Sequence, residues 1–248
     1  MSNDTFTFTI DGVEVEATKG QTIMKAADAA GIYIPRLCTM EGLSPIGSCR
    51  LCTVMVDGRP QAACIQPASP GAVVDNDTPA LNRIRRDIVE MMLVEGNHFC
   101  MFCEKSGNCE LQAMAYRLSI MAPKYRYFFK KAKVDASHPD IMIDRNRCIH
   151  CGRCVVASRE IDGKSIFEFV HRGAQHAIAV SAEGRLDETA LSKTDKAADV
   201  CPVGAIIVKR VGYSVPIGER QYDHEPIGSD IESGAGQQVR KQTCPNQK

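Results

Sequence analysis

Twelve cysteines stand in 248 residues, and eleven of them fall into three groups with short, regular spacings; only Cys244 stands apart. Soft thiolates in such sets bind zinc or iron–sulfur clusters. The first group is Cys38, Cys49, Cys52 and Cys64, spaced C-x10-C-x2-C-x11-C. Its close pair, Cys49 and Cys52, offers two sulfurs to one metal edge from a single loop. Gly47 and Ser48 before the pair allow a tight backbone whose N–H groups can face cluster sulfur. The set points to a [2Fe–2S] cluster, with zinc as the alternative.

The second group, His98, Cys100, Cys103 and Cys109, offers three sulfurs and one nitrogen. A lone histidine beside an apolar stretch is ordinarily structural, but three cysteines here need a fourth donor and no other unclaimed cysteine lies near. Zinc also accepts that set, so the residues alone leave the metal open. The third group is Cys148, Cys151 and Cys154 as C-x2-C-x2-C, joined later by Cys201-Pro202, and is the most specific signal in the chain. In two-cluster bacterial ferredoxins the fourth cysteine of each run ligates the opposite cluster. Here Ser158 stands where that fourth cysteine would be, and Leu191, Thr194 and Ala197 stand where the second triplet would be. One [4Fe–4S] cluster completed by Cys201 is expected. His150, between ligands, reads as an exposed polar residue, and Cys244 as a free thiol.

The elements that must position these groups are legible in part. Thr5 to Ile10 and Val13 to Ala17 alternate around Asp11-Gly12, a hairpin signal. A helix should follow, capped by Thr22, with Ile23, Ala26, Ala27 and Ala30 as its apolar face and Gly31 just past its end. Thr78-Pro79 opens a longer helix ending near Gly96, with Leu81, Ile84, Ile88, Met91 and Met92 along one side. Glu110 to Ala122 reads as another helix closed by Pro123. The expected class is α+β: a β-grasp [2Fe–2S] domain over 1–78, a helical His(Cys)3 element over 79–123, a ferredoxin-like unit over 141–211 and an extended tail over 212–248.

Lys plus Arg and Asp plus Glu number 30 each, so no charge excess draws the chain to nucleic acid or to an anionic membrane. No stretch approaches the roughly 20 apolar residues of a spanning helix, and direct membrane contact is not expected. The start Met1-Ser2-Asn3-Asp4-Thr5 lacks a basic and apolar leader pattern, so a reducing, cytoplasmic setting is expected. Arg83, Arg85 and Arg86, like Lys130, Lys131 and Lys133, read as solvated faces or partner contacts. Gly234-Ala235-Gly236 is no dinucleotide fingerprint, and no phosphate loop or catalytic triad is evident, so no catalytic residue and no flavin or NAD bound by this chain itself are expected.

The order of the three groups resembles the N-terminal region of the large iron–sulfur subunit of respiratory complex I, and also that of iron-only hydrogenases and some NAD-dependent formate dehydrogenases. Gly96 to Gln112, Asp199 to Ile206 and Gly212 to Arg220 resemble the small diaphorase subunits of soluble NAD-reducing nickel–iron hydrogenases. The resemblance implies a second [4Fe–4S] cluster at His98, Cys100, Cys103 and Cys109, although the wider family usually spaces the histidine as H-x3-C and this chain as H-x-C. It implies a non-catalytic subunit of an oxidoreductase complex, relaying electrons between nickel–iron hydrogenase subunits and a large diaphorase subunit that binds FMN and NAD. The alternatives are an iron–sulfur subunit of complex I or of a formate dehydrogenase and, in another class, a zinc-stabilised interaction module.

Overall fold

The computed structural model describes residues 5–181, 184–213, 215–220 and 222–223; Cys244 and the glycine-containing stretch 233–236 lie outside them. Strands β1 (Thr5–Ile10) and β2 (Val13–Thr18) form the expected hairpin, with Asp11 and Gly12 at φ 50° and 80°. Both turn residues take the left-handed region that a two-residue turn demands. The alternation sends Phe8, Ile10, Val15 and Ala17 into the core, and each large apolar side chain fully buried there contributes roughly 1.5–3 kcal/mol.

Helix α1 (Ile23–Ala29) starts where Thr22 Oγ1 accepts a hydrogen bond from Lys25 N, and Gly31 follows its end at φ 73°. Ile23, Met24, Ala26 and Ala27 face the sheet, while Ala30 is exposed at the cap. Strands β3 (Thr53–Val56) and β4 (Arg59–Ala62) make a second hairpin around Asp57 and Gly58, and β5 (Val73–Asp75) completes a five-stranded sheet ordered β2-β1-β5-β3-β4. The β1 and β5 pair is parallel and the others are antiparallel.

Helix α2 (Pro79–Glu95) is capped by Thr78, whose hydroxyl accepts from Leu81 N, and it stops at Gly96. Its buried face differs from the expected one. Leu81, Arg85, Val89, Glu90 and Val94 face inward, while Ile84 and Met91 are exposed. The arginine displaces the apolar side chains because fixed acceptors wait for it: Arg85 donates to the carbonyls of Leu51, Thr53 and Asn76 and to the side chains of Asn76 and Asn82. Arg85 is therefore a buried clamp rather than a solvated charge, and Arg86 donates to Leu118 O. Lys130, Lys131 and Lys133 are exposed as expected.

Helix α3 (Glu110–Arg117) is shorter than the expected run to Ala122. Ser119 takes a left-handed conformation at φ 54° and Ile120 N returns to Ala115 O, which closes the helix before Pro123 is reached. Farther on, β6 (Val134–Asp135), β7 (Ile141–Asp144) and β10 (Ile206–Val208) form a sheet ordered β10-β7-β6. Helix α4 (Arg153–Glu160), the hairpin of β8 (Phe167–Val170) and β9 (Ala177–Val180), and the short α5 (Lys196–Asp199) pack beside it. No helix among the described residues is long and apolar enough to cross a membrane.

The tail does not run free where it is described. Tyr213 Oη donates to Phe102 O at 2.8 Å, Arg220 Nη1 to Ser106 O at 3.2 Å, and Tyr222 N to Gly107 O at 3.1 Å, so these three residues of the tail fold back on the loop of the second cysteine group. The rest of the expected tail lies outside the described residues.

Candidate metal centres

The first group sits in the loops flanking β3 and β4. Cys38, Cys49, Cys52 and Cys64 are all buried, and the Sγ atoms of Cys52 and Cys64 lie 3.4 Å apart. Cys38 reaches the thiols of Cys49 and Cys64. The contact at 3.4 Å thus joins Cys52 to Cys64, across the β3–β4 hairpin, rather than the sequence-adjacent Cys49 and Cys52. Neighbouring thiols push their acidities apart. Hydrogen bonds from Cys49 and Cys64 hold Cys38 far below the usual thiol range, and that from Cys64 brings Cys52 to about 7. Cys49 is raised by its contact with Cys38 and then by burial, and Cys64 by Cys38 and Cys52. Four buried sulfurs in contact cannot all carry charge unless cations share it, which is the condition a thiolate-bound metal centre meets. Backbone N–H groups of Leu51 and Leu37 already face Cys49.

The third group surrounds an apolar cavity of ≈ 370 Å³, counting the part open to solvent, lined by all of Cys148, Cys151, Cys154 and Cys201 with Ile143, Ile178 and Ile206. Burial raises Cys148 and Cys151 to about 12 and Cys154 well above its usual value. Four thiols lining one apolar cavity suit a cluster of iron and sulfide. Gly152 at φ 77° is required here, because a Cβ would run into Ile46 Cδ1 at 2.5 Å and Phe169 Cζ at 2.7 Å. His150 is half-buried beside His176, which stacks on Phe169, so it is not the exposed residue expected. Where a second ferredoxin cluster would need ligands, Ser158 is buried with its Oγ accepting from Ile166 N, and Leu191 and Ala197 belong to a packed core.

The second group is the least assembled. Cys109 precedes α3 and is pushed up to about 12 by burial, whereas Cys100 is exposed and reaches the His98 carbonyl at 3.9 Å, not its ring. His98 follows the end of α2, and its ring lies over Gly96, where a Cβ would collide with it. Burial lowers His98 to about 4, so the imidazole is neutral at pH 7. Its Nε2 is buried with no hydrogen-bond partner. A buried neutral nitrogen with an unused lone pair fits a metal ligand. Cys103 lies against Gly204, whose Cβ would meet its Sγ at 3.0 Å, and 3.6 Å from Arg147 Nη1, which places the second group beside the Cys201 segment.

All three groups meet in one apolar core. Cys38, Cys49 and Cys151 are buried within it together with Leu37, Leu51, Val89 and Leu111, and Cys109, Cys148 and Cys201 pack against it. Ser48 Oγ, in the loop of the first group, donates to Cys151 O at 3.2 Å. Sequence reasoning missed two residues there. Arg153 joins Glu110 and Thr39, and its place between Cys151 and Cys154 was the available signal; Arg85, read as a solvated charge, grips the carbonyls on both sides of Cys52, and nothing beside it in α2 announced that.

Comparison with known proteins agrees with this layout. Residues 3–79 match a 2Fe-2S iron-sulfur cluster binding domain, residues 85–123 the NADH-ubiquinone oxidoreductase-G iron-sulfur binding region, and residues 138–207 the ferredoxin-like domain of NADH-quinone oxidoreductase subunit 3. The chain is 39% identical over 220 residues to the gamma subunit of the NAD-reducing hydrogenase HoxS of Cupriavidus necator, covering 88% of this chain and 94% of that one. It is 36% identical over 203 residues to the alpha subunit of the NADPH-Fe(3+) oxidoreductase of Geobacter sulfurreducens (81% of this chain, 24% of that one). It is 31% identical over 229 residues to the G subunit of the NADH-quinone oxidoreductase of Rickettsia felis (90% of this chain, 34% of that one). Only about a quarter to a third of those two proteins is represented here. A chain in the crystal structure of NAD+-reducing [NiFe]-hydrogenase in the H2-reduced state is 47% identical with a TM-score of 0.87, covering 92% of this chain and 98% of that one. This chain, with 2Fe-2S and 4Fe-4S binding domains in one mixed α/β polypeptide, belongs to the family of NAD-reducing hydrogenase gamma subunits.

Proposed function

We propose that this chain is the iron–sulfur relay of a cytoplasmic hydrogen:NAD+ oxidoreductase complex, carrying electrons between nickel–iron hydrogenase subunits and a larger subunit that binds FMN and NAD. The observation that carries the reading is the meeting of all three cysteine groups in one buried core. Near-complete coverage of the HoxS gamma chain and of the matching crystal-structure chain favours this assembly over complex I.

Cys38, Cys49, Cys52 and Cys64 hold one [2Fe–2S] cluster in a β-grasp domain over 1–78, a reading supported by the central parallel β1–β5 pair with α1 against the sheet. Cys148, Cys151, Cys154 and Cys201 hold one [4Fe–4S] cluster in a unit over 141–211, and His98, Cys100, Cys103 and Cys109 hold another in the element over 79–123. When bound, clusters of these types supply reversible one-electron oxidation and reduction. The chain's own residues fix the ligand geometry, keep most sulfurs out of water and hold the His98 ring neutral. Because NAD takes a hydride, the single electrons require a flavin, which the partner supplies.

The test is to mix the purified chain with the hydrogenase pair and, separately, with the flavin-binding partner. Reduction of the chain's visible chromophore by dihydrogen in the first mixture and by NADH in the second is expected. A chain reduced in neither mixture, with both partners active toward artificial dyes, would overturn the relay.

A further inference from the structure

Arg153 is the first residue of α4, stands between the ligands Cys151 and Cys154, and its side chain is only 1% exposed. Its guanidinium is held from two sides. Nη1 and Nη2 donate to Glu110 Oε1 at 2.8 Å and Oε2 at 2.7 Å, and Nη2 also donates to Thr39 O at 3.1 Å. Glu110 directly follows Cys109 and Thr39 directly follows Cys38. One buried cation therefore ties together a neighbour of a ligand in every group.

The Nε donor is unspent. Arg153 Nε is buried and has no partner, although an unmade bond to a buried charged donor costs more than an ordinary hydrogen bond gives. Arg153 stands next to Cys154 and two residues from Cys151, and its bond to Thr39 O brings the same charge beside Cys38. An N–H without an acceptor, on the residue between ligands Cys151 and Cys154, is free to donate to a sulfur brought in by a cluster.

We propose that Arg153 is a shared potential-setting residue: its Nε–H donates to a sulfur of the centre held by the third group, and its fixed charge eases reduction at both the first and third groups. This rests on the iron–sulfur reading above. Net charge and hydrogen bonds to sulfur are among the levers that set cluster potential, and a cation fixed between two centres moves both in the same direction. Glu110 fixes the guanidinium's bidentate geometry and offsets part of its charge. The second group is set differently, since its Cys103 faces Arg147.

The test is redox-titrated EPR of the assembled complex carrying Arg153→Met, Arg153→Lys or Glu110→Gln, with iron content measured alongside. Arg153→Met lowers the midpoints of the first and third centres together. Arg153→Lys, which keeps the charge but lacks the Nε–H, restores the first centre and leaves the third lowered. Glu110→Gln raises both. Wild-type midpoints in an Arg153→Met protein with full iron, or shifts of the same sign in Arg153→Met and Glu110→Gln, would overturn the proposal. If Arg153→Met does not assemble, the lysine and glutamine variants decide: opposite shifts of the third centre support it and unmoved midpoints refute it. Failure of the underlying reading looks different, because wild-type protein would then show no iron–sulfur signal.

Discussion

Arg85→Met removes the clamp between α2 and the loop of the first cysteine group. Arg85 is 1% exposed and donates five hydrogen bonds of 2.8–3.1 Å. Methionine keeps most of the apolar stem but strands the carbonyls of Leu51, Thr53 and Asn76 and the buried Asn76 Oδ1, while the Asn82 amide can turn to water. Four stranded acceptors at about 1–3 kcal/mol each would cost roughly 4–12 kcal/mol, and no longer desolvating a guanidinium returns part of it. The net loss is then about 2–4 kcal/mol, or a fall in Tm of about 4–16 °C for a chain of this size. Because Leu51 and Thr53 bracket Cys52, the first centre should also lose its iron faster than the third. Thermal unfolding followed by circular dichroism, with visible absorption tracked through the melt, reads both effects. Arg85→Lys should recover little, since an ammonium cannot fork between the same acceptors. A Tm within about 2 °C of wild type, with the first centre intact, would refute the clamp.

Cys201→Ser should abolish the third centre and spare the other two, because no other described cysteine lines its cavity; EPR showing all three signals would contradict the assignment. His98→Ala should leave the second centre labile or convert it to a three-iron form, and unchanged spectra there would make His98 structural. Burial keeps the folded His98 pKa, about 4, below the unfolded value of about 6.5. Stability from the neutral ring is therefore complete above about pH 6.5 and lost as pH falls through about 4. Stability of the metal-free chain should follow that window, and a loss already complete at about pH 6.5 would contradict it. Deleting residues 212–248 should release iron from the second centre first, since Tyr213, Arg220 and Tyr222 brace its loop; equal retention at all centres would leave the brace without a role.

Local signals carried much of the fold. Asp11-Gly12, Thr22 and Thr78-Pro79 place their turn and caps because each satisfies backbone geometry with its own side chain or φ angle. The same dipeptide at Asp57-Gly58, between β3 and β4, offered an equal signal that the sequence reading did not use. What stayed hidden depends on distant partners. The phase of α2 is turned by acceptors at residues 51, 53 and 76, and α3 ends at a left-handed serine that no propensity announces. For the site, cysteine spacing named the thiols of the first and third groups, which the structure gathers. It did not disclose which sulfurs pair, or that Arg153 and Glu110 sit among them, because those contacts cross the chain by 43 residues.

The most direct test of the central claim is the metal and acid-labile sulfide content of the anaerobically purified chain, with low-temperature EPR on the same sample after stepwise reduction. The account predicts a brown protein with about ten irons and a matching amount of sulfide per chain, giving one [2Fe–2S] signal and two [4Fe–4S] signals. A colourless protein holding zinc and no labile sulfide would contradict it.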